Sequence, residues 1–171
     1  MKTRSVLTFL IFVLALTSLF FAYRYLQLCQ KYNNIKTQEK SVLNTYLNSS
    51  ISNADKIDLT KVSSGDKDSI LSLMEMYEGI SNSNIALWTT FSGQIEIVDP
   101  MYTSSYTIVL KDILNKCVKD ELKPEDINNF KLLTENIKLI YNYISENDKL
   151  SSKDFKLKVI PYLKPIKLPS K

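Results

Sequence analysis

From Ser5 to Tyr23 the chain carries nineteen residues without a single charge, and no other feature limits so sharply what it can fold into. As a helix rising ~1.5 Å per residue, such a run reaches ~28 Å, close to the hydrocarbon thickness of a bilayer. Lys2 and Arg4 precede it and Arg24 follows. A basic start and an apolar run also describe a cleaved export signal, but there the run is about 7–15 residues long and the cut follows small residues. Cleavage after Ala22 puts Phe20 three positions before the cut, and cleavage after Ser18 puts Leu16 there. The sequence therefore predicts a transmembrane signal-anchor over residues 1–23. Residues 5–23 face the lipid bilayer, and Tyr23, Arg24 and Tyr25 form an aromatic and cationic collar at its surface.

Beyond the collar, Tyr25, Leu28, Tyr32 and Ile35, then Val42 and Tyr46 across the exception Glu39, step alternately by three and four. That period predicts one helix running from the membrane to about Ser52. Cys29 lies in this stretch; Leu28 before it is too large for the cysteine of a processed lipoprotein. Tyr25, Leu28, Cys29, Tyr32 and Ile35 are the stalk contacts, forming either a homodimer seam, in which Cys29 meets its copy, or part of the bundle's own core. For orientation, Arg24, Lys31, Lys36 and Lys40 after the segment outnumber Lys2 and Arg4 before it. A short basic start is nevertheless an ordinary export signal. The expectation is a single-pass protein of the cell membrane, N-terminus inside and domain extracytoplasmic.

Residues 24–150 read as one helical domain. Only three glycines in 171 residues and 44% hydrophobic content argue against disorder and against a turn-rich all-β fold. After a polar linker over 53–66, with Ser64 or Asp66 as cap, a second helix carries Ile70, Leu73, Met74, Tyr77, Ile80, Leu87, Trp88 and Phe91. Ser81-Asn82-Ser83-Asn84 interrupts it as a loop or a polar pocket wall, and Gly93 stops it. Residues 94–98 fit a short strand or more helix. Asp99-Pro100 opens a third helix to about Leu122, burying Tyr102, Tyr106, Val109, Leu110, Ile113, Leu114 and Cys117. Pro124-Glu125-Asp126 opens a fourth, where Phe130, Leu133, Ile137, Ile140 and Ile144 repeat by three and four. The fold class is all-α: the transmembrane helix continues into an up-down bundle of about four helices, followed by an extended basic tail over 151–171.

Charge is divided along the chain. Residues 31–150 hold 13 lysines against 17 acids, whereas 151–171 hold six lysines against Asp154 alone. A mildly acidic domain gives nucleic acid no basic face. In the tail, Lys153, Lys156, Lys158, Lys164 and Lys167 are placed to contact an anionic surface. Phe155, Leu157 and Val159 alternate as an edge strand would, or pack onto the bundle, and Pro161, Pro165 and Pro169 forbid a continuous helix.

Histidine is absent, which removes Ser-His-Asp and Cys-His catalysis and His-ligated zinc. Two cysteines cannot form a four-thiolate metal site, and no glycine-rich phosphate loop occurs, so no cofactor is expected. Glu75 and Glu78 share a helical face, and Glu121, Glu125 and Asp126 gather at a helix junction; solvation and dipole compensation account for both sets. Tyr77, Trp88, Phe91, Tyr102 and Tyr106 line a ligand pocket or, by default, fill the core. Cys29 and Cys117 fall at different levels of an up-down bundle, too far apart to bridge. The expected function is binding, as an accessory or structural subunit of a cell-envelope complex with a protein partner. The alternatives are a carboxylate-dependent envelope enzyme and an extracytoplasmic ligand-sensing module.

Overall fold

The structure is a computed structural model and describes residues 2–90, 100–148 and 150–169. Among these residues it is all-helical, with six helices, one 3-10 turn and no strand. The chain divides into two compact units, residues 1–38 and 39–171.

The first unit is helix throughout its described residues, part of α1 (Lys2–Ala54). Neither glycine nor proline interrupts that span, so nothing breaks the backbone ladder. From Thr8 to Leu28 every side chain is exposed, among them Phe9, Leu14, Leu19 and Phe21. α1 thus contains a stretch long and apolar enough to cross a membrane, close to the N-terminus. Its polar side chains find partners locally: the Thr17 hydroxyl lies 3.0 Å from the carbonyl of Val13 and 2.9 Å from that of Leu14. An apolar surround leaves a hydroxyl no other partner than its own helix. Arg24 stacks 5.9 Å above the Phe20 ring, one helical turn back, and the Gln27 amide donates to the Tyr23 hydroxyl at 2.8 Å.

In the second unit, the rest of α1 is followed by α2 (Leu59–Ser63), α3 (Lys67–Thr90), α4 (Pro100–Val118), α5 (Pro124–Glu146), α6 (Ser152–Lys158) and the 3-10 turn Ile160–Tyr162. α3 packs on α4, α2 touches both, and α5 packs on α4. One apolar cluster joins them, drawing Leu43 and Leu47 from α1, Leu59 and Val62 from α2, and Phe155 and Val159 from the tail.

Helix ends explain the joints. Gly65 (φ 84) follows α2, its N–H bonding to Val62 O at 3.0 Å, while Asp66 N–H bonds to Lys61 O at 2.9 Å. Glycine reaches this left-handed conformation without penalty and closes the helix as a Schellman cap. Asp66 then caps α3, accepting from the Ser69 N–H at 2.9 Å, and that bond holds its carboxyl below the usual range. α4 ends the same way with Asp120 (φ 56) in the glycine position and Glu121 N–H on Lys116 O at 2.8 Å. At the start of α5 the Asp126 carboxylate accepts from the Lys123 N–H at 2.9 Å and from the Lys116 ammonium at 2.7 Å, and Lys116 also reaches Asp112 at 2.7 Å.

Several expectations are corrected. The linker over 53–66 contains α2, because Leu59 and Val62 bury against the cluster. Ser81 to Asn84 stay helical within α3, and buried Ser83 donates back to Ile80 O at 2.8 Å. The helix expected third, α4, stops at Val118 rather than near Leu122. On α3 the large apolar side chains that are buried are Leu73, Met76, Ile80 and Leu87, while Met74 and Tyr77 reach the surface. On α1 they are Leu43 and Leu47, with Val42 exposed. The tail is not wholly extended: Ser151 caps α6, which buries Phe155 and Val159 four residues apart and leaves Leu157 outside. Helical spacing wins there because it puts both large side chains on one face. The Gly93 stop, the Asp99 cap and the choice between strand and helix at 94–98 lie outside the described residues.

α1 and α3 approach closely where Ser50 meets Gly79. A methyl group at Gly79 would overlap Ser50 Oγ and lie 3.2 Å from Tyr46 O, the carbonyl to which Ser50 donates at 2.8 Å. Gly79→Ala gains about 1 kcal/mol of helix propensity but costs about 1–3 kcal/mol of overpacking. The single variant is therefore expected to melt below the parent by circular dichroism, and Ser50→Ala combined with it to restore part of the loss.

Burial raises the Asp126 pKa, and the Lys116 ammonium and Lys123 N–H more than offset this, so the carboxyl titrates below the ordinary range. A carboxyl lowered on folding stabilises the fold above its unfolded pKa, and that stability is lost as pH falls through the folded value. Asp126→Asn is expected to cost about 1–3 kcal/mol near neutrality and to flatten the loss of melting temperature below about pH 4, read from parallel melts across that range.

Candidate functional site

α5 presents a row of polar side chains at seven-residue intervals, Asn129, Asn136 and Tyr143. Seven residues are nearly two helical turns, so the three share one line along the edge of the stripe that buries Leu133, Ile137, Ile140 and Ile144. Each of them grips backbone from the segment that returns along the helix. The Asn136 side chain donates to Lys164 O at 2.9 Å and accepts from Lys164 N–H at 2.8 Å. Asn129 does the same with Lys167, at 3.1 and 3.3 Å. The Tyr143 hydroxyl donates to Ser151 O at 2.9 Å; burial raises its pKa, and its ring meets Phe155 edge-on at 5.4 Å.

The returning segment runs antiparallel to α5, since 164 pairs with 136 and 167 with 129. Three residues of polyproline II span ~9 Å, and seven of α-helix span ~10 Å, so the two repeats keep step. Leu163 has φ −67 and ψ 130, in the polyproline region. Burial follows the same period of three: Leu163, Ile166 and Pro169 are half-buried, while Lys164, Pro165, Lys167 and Leu168 are exposed. Proline has no N–H to give, and Pro165 and Pro169 stand where none is used. Lys164 pairs with Glu135, whose carboxyl this lowers, and Lys167 pairs with Glu125 at 2.6 Å.

Of the five lysines expected at an anionic surface, Lys164 and Lys167 are thus turned onto α5. Lys153 and Lys156 are exposed, and Lys158 lies 3.8 Å from Asp154. Glu75 and Glu78 are exposed on α3, whereas Glu125 and Asp126 are held by Lys167 and Lys116. In the first unit Tyr25, Leu28, Tyr32 and Ile35 are all exposed, and Cys29 is half-exposed among them. Both cysteines are free thiols. Cys117 is fully buried, its Sγ 4.0 Å from Leu59 O, and desolvation raises its pKa. Of the aromatic set, Tyr106 is buried and Tyr77 partly exposed; the side chains of Trp88, Phe91 and Tyr102 lie outside the described residues.

Apolar periodicity picked out the buried stripe of α5 and passed over its polar edge. The signal available was two asparagines and a tyrosine seven residues apart beside a buried face, a pattern that solvation alone does not require. Comparison with protein-family models, curated proteins and solved structures finds no match for this chain.

Removing one clamp should loosen the segment without melting the domain. Asn136→Leu deletes two hydrogen bonds worth together about 1–2 kcal/mol. Hydrogen exchange is expected to show the Lys164 amide exchanging about tenfold faster, with helix content unchanged by circular dichroism.

Proposed function

We propose that the protein is a single-pass membrane protein that acts by binding, as an accessory or structural subunit of a cell-envelope complex. Its N-terminus lies inside and residues 39–171 lie outside the cytoplasm. The observation that carries this reading is the exposed apolar surface of α1. From Phe9 to Phe21 the large side chains have no protein partner that covers them, and a surface of that length is stable in water only if lipid or protein covers it. From Tyr25 onward the helix stays exposed, and Tyr25, Leu28, Tyr32 and Ile35 lie along one side of it, with Leu26 exposed off that side. The three-and-four spacing of those four is that of a helix–helix seam, and a second copy fits it, bringing Cys29 near its counterpart. Binding rather than catalysis is supported by the use made of the acidic side chains, since Glu125, Glu135 and Asp126 are each paired with a lysine. With neither histidine nor a phosphate loop in the chain, the common routes to acid–base and nucleotide chemistry are closed.

Three measurements test the reading. The full chain is expected to stay in the membrane fraction through alkaline carbonate washing, and a C-terminal reporter active only outside the cytoplasm to give signal. In isolated membranes a short bis-maleimide is expected to cross-link copies through Cys29 and to fail with Cys29→Ser, since buried Cys117 cannot substitute. A soluble shortened product would remove the anchor, a silent exported reporter would reverse the topology, and cross-linking that survives Cys29→Ser would remove the seam.

A further inference from the structure

The α5 edge holds a non-helical segment of its own chain through a regular set of contacts. It reads backbone through paired amide bonds from Asn129 and Asn136, which accept and donate at the same residue of the bound segment. Its charge complements the segment, with Glu135 and Glu125 meeting lysines three residues apart. The bound segment in this structure, residues 163–169 with the sequence Leu-Lys-Pro-Ile-Lys-Leu-Pro, shows which chemistry fits: an apolar residue followed by lysine, repeated after three residues in a non-helical chain, with proline after the first lysine.

Two features set this contact apart from core packing. Its ion pairs are largely exposed, the Lys167 side chain at 71% and Glu125 at 55%, so they contribute little stability and weaken in salt. The apolar contribution of the segment is the half-buried side chains of Leu163 and Ile166, against the fully buried Phe155 and Val159 that anchor the chain before it. Residues 163–169 consequently bury less apolar surface than α6 does, and much of their hold on α5 is the four hydrogen bonds of Asn129 and Asn136.

We propose that this face of α5 is a peptide-binding groove, that residues 163–169 are its resident occupant, and that an extended lysine-and-proline segment of a partner protein takes their place. The proposal deepens the reading of the protein as a binding subunit and rests on it by naming the chemistry of the partner. The two fail separately, because carbonate washing and Cys29 cross-linking report on α1 whereas peptide exchange reports on α5.

The test uses the full chain in detergent micelles, with its own segment weakened by Lys164→Ser, Ile166→Ser and Lys167→Ser. A fluorescein-labelled peptide of residues 160–169 is titrated in and followed by anisotropy. Saturable binding is expected, at least about tenfold weaker to the parent chain because the tethered segment competes at high effective concentration. Adding Asn129→Leu and Asn136→Leu to the weakened chain should reduce the affinity again by about tenfold or more. Raising salt from about 0.05 to 0.5 M should weaken it further, and a peptide with glutamate in place of both lysines should bind more weakly than the parent peptide. Absence of saturable binding to a chain that circular dichroism shows folded overturns the proposal, as does binding indifferent to the asparagines. Should the weakened chain fail to fold, hydrogen exchange on the parent decides: excess peptide lifts protection of the Lys164 and Lys167 amides if it displaces the segment, and unchanged exchange overturns displacement.

Discussion

Burial of the apolar face of α5 is the constraint on which residues 39–171 depend. Leu133, Ile137, Ile140 and Ile144 are almost wholly removed from solvent, each worth about 1.5–3 kcal/mol relative to exposure. Once that face is turned inward, the rest of the helix surface is fixed with it, because rotation about the axis moves all side chains together. Asn129, Asn136 and Tyr143 come to lie along the rim, where a buried amide must find partners or lose the free energy of its missing hydrogen bonds. The backbone of residues 151–167 supplies them. The same inward turn puts Asp126 beside Lys116 and ties the start of α5 to α4.

Residues 8–38 show a different pattern of exposure. Their apolar side chains point outward all round, the reverse of the arrangement in residues 39–171, and their polar groups bond back to the same helix, as Thr17 does. Exposure of Tyr25, Leu28, Tyr32 and Ile35 continues this outward character along α1, and the helix buries its first large side chain of the core at Leu43.

Much of the helical architecture was legible in the residues. Pro100 and Pro124 sit at the first positions of α4 and α5, since proline's missing N–H costs nothing there. The three-and-four repeats of both helices coincide with their buried sides, because period alone defines a face. Elsewhere two faces competed. Val42 and Leu43 are adjacent and both apolar, and the buried one is Leu43; the close approach at Ser50 and Gly79, between residues far apart in sequence, turns α1 to that side. Phe155, Leu157 and Val159 satisfy a strand by alternation and a helix by the four-residue step from Phe155 to Val159. Packing against Tyr143 and the cluster selects the helix.

What the amino-acid sequence determined by itself is local: where charge is absent for long enough to span a bilayer, where prolines and glycines open and close helices, and which chemistries lack their residues. These follow from one segment's own composition and spacing. The tertiary structure alone decided which residues meet across the fold, above all that Asn129 and Asn136 hold the backbone of Lys167 and Lys164 and that Glu125 and Glu135 take their charges. A side-chain amide has no preferred partner until another segment's free N–H and carbonyl arrive at its distance. Their arrival depends on two helical repeats keeping step, which no single stretch of the chain records.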